Sequence, residues 1–221
     1  MSPAYFSLPI WFDLGATFIF ALTGALVAIR RRYDVVGLLA LALISGLGGG
    51  VIRDGVFIQQ GPPAATTDER YIEIAVMGAA AGLFFGERGS RIQRIVAIFD
   101  ALGLGAYTVV GVQKALQAGL SAPAAILVGA VNAAGGGLLR DVITREEPLV
   151  FKPGQFYVLV AIAGAVLFLF LIHQMGFGST PAAFITIGTT FTFRILAIAR
   201  NWQTVAVAGG AINPATKDYP K

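Results

Sequence analysis

The chain has 221 residues, 56% of them apolar and only 13% charged, with a mean hydropathy of +0.75. A soluble domain of this length needs far more polar surface, so the composition places the chain in a membrane. The lack of cysteine excludes a disulfide framework, a thiolate nucleophile and any cysteine-based metal site, and the net charge of +4 reads as basic cytoplasmic loops rather than nucleic-acid binding.

The N-terminal stretch "MSPAYFSLPIWFD" has no basic n-region and no cleavable apolar core, so no signal peptide is expected. A helix needs about 20 apolar residues to cross the hydrocarbon layer. Seven segments qualify in chain order, at 11–30, 35–58, 71–87, 94–117, 123–145, 154–173 and 180–200. Their connections are short, and the longest, "QQGPPAATTDER", carries a Gly-Pro-Pro loop signal. The fold class predicted is all-α integral membrane, a single transmembrane domain over 1–221.

Lys and Arg fall in alternate connections. Arg30, Arg31 and Arg32 follow the first segment, Arg88, Arg91 and Arg94 the third, Arg145 and Lys152 the fifth, and Arg200, Lys217 and Lys221 the seventh. The opposite side has Arg70 beside Asp68 and Glu69. The positive-inside rule then predicts an N-terminus outside and a C-terminus in the cytoplasm.

"GLGGGVIRD" at 46–54 returns as "AAGGGLLRD" at 133–141. The glycine triplets lie 87 residues apart, and the same ungapped offset aligns Phe12-Asp13 with Phe99-Asp100 and Gly24 with Gly111. The first three segments and the next three therefore read as two copies, about 11–87 and 94–173, with an extra helix at about 180–200. An odd number of crossings per copy inverts the second relative to the first, placing Gly48, Gly49, Gly50 and Gly135, Gly136, Gly137 near the midplane.

Consecutive glycines weaken a helix by about 1 kcal/mol each relative to alanine. Close packing uses glycines three or four apart, as in the Gly78, Gly82, Gly86 ladder. The triplets instead predict bends that free carbonyls along a cation-favouring path. Arg53-Asp54 and Arg140-Asp141 stand at its two ends, either lining it or forming structural pairs. Adjacent residues on a helix do not face each other, so each is expected to pair with a different segment. Asp13 and Asp100 sit at predicted helix N-termini, where capping is the main expectation. Lys114 either snorkels or faces the path, and Arg194 is read as structural or lipid-facing. Ser45 and Asn132 precede the triplets at equivalent repeat positions and, with Thr23 and Tyr107, either bridge helices or touch the permeating species.

His173 stands alone and reads as solvated or interfacial. No zincin, nucleophile-elbow or phosphate-loop motif is present, and Val51 breaks the dinucleotide fingerprint that "GLGGGV" begins. No enzyme, cofactor, nucleic-acid partner or bound metal beyond transient cations is expected.

The paired triplets with their Arg-Asp dipeptides, the tandem three-helix copies and the seventh segment resemble the prokaryotic trimeric intracellular cation channels, also catalogued as a glycine-transporter-like bacterial membrane family. The resemblance runs from about Phe12 to Arg200. It implies a bacterial or archaeal membrane homotrimer with a potassium- and sodium-conducting pore in each subunit, lined by the second and fifth helices with the first and fourth. The Lys-Glu-Val motif that animal members use toward an anionic lipid is missing, so lipid regulation does not carry over. The rival reading is a secondary transporter of a small solute such as glycine, because inverted repeats with midplane breaks also serve alternating access.

Overall fold

The computed structural model describes residues 7–86, 91–152 and 156–202, so Arg88, Lys217 and Lys221 lie outside the described residues. Among these residues the elements are helical: α1 (Trp11–Arg30), α2 (Val35–Ile52), α3 (Ala64–Thr67), α4 (Glu69–Phe85), α5 (Arg91–Gln117), α6 (Ala122–Ile143), α7 (Tyr157–His173) and α8 (Ser179–Ala199). A π-helical turn, Arg53–Ile58, prolongs α2. Five helical runs are long and apolar enough to cross a membrane: α1, α2 with its π-helical turn, α5, α6 and α8.

Local chemistry sets the starts. The Asp34 carboxylate accepts from the Gly37 N–H at 2.7 Å and caps α2, and Asp68 caps α4 through the Arg70 N–H at 3.1 Å. Pro123 stands in the first turn of α6, where its missing N–H costs nothing. The chain leaves the π-helical turn through Gln59 in the left-handed region, at φ 52°.

Helices α1 and α5 form the middle of the bundle. α1 packs on α2, α4 and α5, while α5 packs on α1, α6, α7 and α8. The Gly78, Gly82, Gly86 ladder seats α4 on α1: a Cβ on Gly78 would lie 2.8 Å from the Phe18 carbonyl oxygen, and one on Gly82 would strike Ala25. α1 and α5 run antiparallel, because Lys114 near the end of α5 meets Asp13 near the start of α1, while Arg140 joins Asp100, earlier in α5, to Thr23, later in α1.

The glycine triplets do not break their helices. α2 and α6 run as uninterrupted α-helix through Gly48–Gly50 and Gly135–Gly137. What the glycines provide is proximity. A Cβ on Gly49 would collide with the carbonyl oxygen of Asn132, and one on Gly136 with that of Ser45. The two helices thus cross backbone to backbone, and Gly135 approaches so closely that its Cβ would lie 3.1 Å from the Gly49 Cα. Such contacts suit Cα–H···O attraction and the packing forces that hold helices together in lipid. Consecutive glycines serve this packing because the close contacts fall within one turn of each helix, at Gly48 and Gly49 on α2 and at Gly135 and Gly136 on α6.

Alanine at Gly49 or Gly136 should therefore destabilise the bundle by about 1–3 kcal/mol, read as a lower thermal midpoint in detergent. Gly188 has nothing within 4 Å of its would-be Cβ, so Gly188→Ala should hold or raise that midpoint.

Candidate functional site: a buried polar column between two ion clusters

α1 serves as a ruler for the buried polar groups. Asp13, Thr17 and Thr23 follow one another along it, and all three are buried. At about 1.5 Å per residue, Asp13 and Thr23 stand roughly 15 Å apart along the axis.

At the Asp13 end, one carboxylate gathers three elements. Arg53 approaches it at 3.3 Å, the Lys114 ammonium at 2.8 Å, and the Tyr71 hydroxyl donates to it at 2.7 Å. Asp13 lies in the first turn of α1 but does not cap it; its side chain is spent on these partners. Arg53 also pairs with Asp54 at 2.6 Å, contrary to the expectation that neighbours pair apart. The guanidinium is long enough to fold back along its own helix. Asp54 in turn accepts from the Ala64 N–H at 3.1 Å, which fastens the following loop.

The Asp100 end repeats this arrangement. Arg140 meets Asp100 at 3.3 Å and Asp141 at 3.0 Å, and Asp141 accepts from the Leu149 N–H at 3.4 Å. Asp100 is no cap either, since α5 starts at Arg91 and puts it more than two turns inside. Arg140 also donates to the Thr23 hydroxyl at 3.1 Å. Gly137 leaves room for this cluster: a Cβ there would lie 3.3 Å from the Tyr157 hydroxyl and 3.5 Å from both Arg140 and Asp100. Gly50 stands likewise against the Arg53 guanidinium, at 3.6 Å, and Gly48 faces Leu139.

Between the clusters Tyr107 is fully enclosed. Its hydroxyl donates to the Gly46 carbonyl at 2.6 Å and shares a hydrogen bond with Thr17 at 2.8 Å, while its ring stacks on Phe20 at 5.2 Å. Phe20 and Tyr107 are themselves 87 residues apart. Asn132 donates from Nδ2 to the Tyr107 carbonyl at 2.7 Å, but its Oδ1 and the Ser45 Oγ have no hydrogen-bond partner among the described residues. Thr23 Oγ1 donates to the Phe20 carbonyl at 2.8 Å. The site residues read from the sequence thus come together in one column. The sequence reading missed Thr17, Tyr71 and Tyr157. The two tyrosines stand 86 residues apart, one step off the repeat, so alignment alone does not pair them. Arg194 belongs inside rather than toward lipid, since it is buried with its guanidinium 4.8 Å from the centre of the Tyr157 ring. His173 is exposed at the end of α7.

A cavity of about 250 Å³ opens at the Asp100 end. Its charged lining is mixed: Asp100, Asp141, Glu146 and Glu147 against Arg30, Arg140, Lys152 and Arg194. Glu146, in the loop after α6, pairs with Arg30 and with Arg31, the latter at 2.8 Å, and so ties that loop to the end of α1. Burial pushes the Glu146 carboxyl up, but the two guanidiniums outweigh it and hold it below its ordinary value.

A model of the family described as Glycine transporter matches residues 10–87 and matches again over residues 97–173. A membrane protein of Deinococcus radiodurans is 37% identical over 156 residues, covering 70% of this chain and 72% of its own. One from Vibrio cholerae is 33% identical over 193 residues, covering 87% and 80%. Among solved structures, the TRIC trimeric intracellular cation channel orthologue from Rhodobacter sphaeroides superposes with a TM-score of 0.80 at 30% identity, over 86% of this chain and 97% of that one.

Two outcomes follow for stability. Asp13→Asn removes the buried carboxylate that Arg53 and Lys114 share, leaving Arg53 only Asp54, and should cost about 3 kcal/mol, whereas Asp68→Asn at the exposed Arg70 pair should change the detergent melting midpoint little. Because the Glu146 carboxyl is depressed, its contribution is present above the unfolded value near 4.5 and is lost as pH falls through the lower folded value. Glu146→Gln should flatten that part of the acid limb in a pH series of thermal melts.

Proposed function

The chain belongs to the family described as Glycine transporter, a multi-pass membrane family, and we propose that it is a monovalent cation channel with one path inside each subunit of a homotrimer. Its structural relatives are cation channels rather than enzymes, and they support conduction of cations and self-association. The observation that carries the finer reading is the buried column itself. Ionised side chains inside a membrane protein are expensive, and they commonly mark ion or substrate pathways. Here they stand at both ends of one file of hydroxyls and carbonyls along α1, with Tyr107 across its middle.

We read seven crossings, adding the 17-residue helices α4 and α7 to the five longer runs, since about 17 residues is the lower limit for a span. Two inverted halves and an added α8 account for the 87-residue offset at which Asp13 and Asp100, Arg53 and Arg140, and Gly49 and Gly136 make corresponding contacts. The double match of the family model supports the same division. With the N-terminus outside, the Asp13 cluster is the outer end and the Asp100 cavity the inner vestibule. Potassium and sodium would shed part of their water to hydroxyls and carbonyls at Thr17, Ser45, Gly46 and Asn132. Tyr107, hydrogen-bonded to both Thr17 and Gly46, holds the path shut and would have to swing aside for conduction. Lys114 sets the charge of the outer end.

One observation favours a second reading, a carrier for a small zwitterion such as glycine: the vestibule offers carboxylates and guanidiniums together in about 250 Å³. Purified protein in a planar bilayer under a potassium chloride gradient separates the two. The channel reading expects discrete current steps that reverse near the potassium equilibrium potential, and Tyr107→Ala should raise open probability several-fold. Electrically silent protein that takes up labelled glycine saturably into liposomes would replace the channel with the carrier.

A further inference from the structure

Three arrangements recur at the two ends of the column: an aspartate at the start of the central path, an arginine that clamps it, and a tyrosine beside it. At the outer end a fourth group completes the set. Lys114 reaches Asp13 at 2.8 Å and stands 5.8 Å from the centre of the Tyr71 ring. Counting Asp13, Asp54, Arg53 and Lys114, that end carries two carboxylates and two cations. Moving 87 residues back from Lys114 leads to Val27, which lines the vestibule and carries no charge. The first half therefore has no cation at the position equivalent to Lys114; its Arg30, which also lines the vestibule, is engaged by Glu146.

The missing charge comes from elsewhere in the chain. α8 lies outside both segments that the family model matches, yet its Arg194 lines the vestibule beside Asp100 and Arg140. The side chain is buried and lies over the Tyr157 ring, as Lys114 lies over that of Tyr71. Tyr157 and Asp100 face the same glycine, Gly137, so the ring stands behind the corner of the cavity that Asp100 and Arg194 line.

We propose that Arg194 is the inner counterpart of Lys114: the added helix α8 supplies the second cation of the inner vestibule and so sets how strongly that mouth concentrates permeating cations. The assignment rests on the channel reading above. With Arg194 in place, the charges lining the vestibule balance: Arg30 is engaged by Glu146, Arg140 by Asp100 and Asp141, and Lys152 and Glu147 offset each other in sign. Removing Arg194 leaves a net negative mouth, which enriches cations locally in a cleft walled by low-dielectric protein. The enrichment weakens with salt, since the screening length shrinks from about 10 Å at 0.1 M to about 3 Å at 1 M.

The test is rectification in patches excised from bacterial spheroplasts expressing the full chain, where every copy has the same orientation. In symmetric 0.1 M KCl, Arg194→Gln should raise the ratio of outward to inward current about two-fold or more. Lys114→Gln should shift that ratio the opposite way, and the double variant should return toward the parent. Both effects should fade in 1 M KCl. Arg194→Lys keeps the charge and should rectify like the parent, so it separates charge from shape if the glutamine variant folds poorly. An unchanged ratio in Arg194→Gln, a shift in the same direction as Lys114→Gln, or a shift in Arg194→Lys as large as in the glutamine variant would overturn the assignment while leaving the channel intact. A parent protein that passes no current would overturn the channel reading and this assignment with it.

Discussion

Two backbone carbonyls, those of Ser45 and Asn132, lie against the Cα atoms of Gly136 and Gly49, and the spacing of the helices around the polar column follows from that contact. No side chain separates α2 from α6 there, so the distance between them is set by backbone atoms alone. A methyl group on either glycine pushes the crossing apart. The same approach is used within each half, where Gly24 admits the Ser45 side chain and Gly111 that of Asn132, each with its would-be Cβ 2.9 Å from the partner Cβ. Lipid gives helices no hydrophobic reason to associate, so close contact of this kind is what holds them. The crossing in turn brings Arg53 and Arg140 within reach of Asp13 and Asp100 on the two central helices.

The ion clusters answer a different constraint. A charge withdrawn from water costs several kcal/mol unless opposite charge and hydrogen bonds compensate it. Each Arg-Asp dipeptide does this with two residues. The arginine spans to the aspartate of a central helix, and its neighbour closes the fork from the same turn while taking a backbone N–H of the next loop. One dipeptide therefore neutralises a buried carboxylate and anchors a loop, which explains why the chain spells the pair twice after a glycine triplet. Arg30 and Arg31 with Glu146 do comparable work nearer water, where partial exposure makes the pairing weaker.

Much of this was legible in the sequence. Each apolar segment read from the sequence coincides with one of the eight described helices, with ends displaced by only a few residues, and five of those runs are long and apolar enough to cross a membrane. The 87-residue offset identified Gly49 with Gly136 and Ser45 with Asn132 before any contact was known, and those residues do meet reciprocally. The errors share one cause. Propensity describes a helix standing alone, and in isolation three glycines are a weak point. Against a partner helix they are the only residues small enough for the contact, and packing outweighs their intrinsic cost. Asp13 and Asp100 were likewise judged from their place in one helix, whereas Asp13 draws its partners from three other elements and Asp100 meets Arg140 of α6. The sequence leaves Arg194 structural or lipid-facing, and of the two the buried, structural placement holds. Its partner, the Tyr157 ring, opens the preceding helix α7, which packs against α8, but the choice between lipid and interior depends on which face of α8 that packing covers.

A crossing held by backbone contact also limits how such a path can open. Packed glycine interfaces have no slack, so widening the column by separating α2 from α6 would lose the Gly49 and Gly136 contacts together, along with the ion pairs that depend on their spacing. Unwinding either triplet would free carbonyls that are now bonded within continuous helix. Rotation of one side chain costs far less. Tyr107 gives up two hydrogen bonds and a stacked ring when it leaves Thr17, Gly46 and Phe20, and each lost bond is worth about 1 kcal/mol net. The groups it leaves are the hydroxyl and carbonyl that a dehydrating cation could use in its place. On the channel reading proposed above, rotation of the Tyr107 ring within a rigid frame is the gate this arrangement of helices favours.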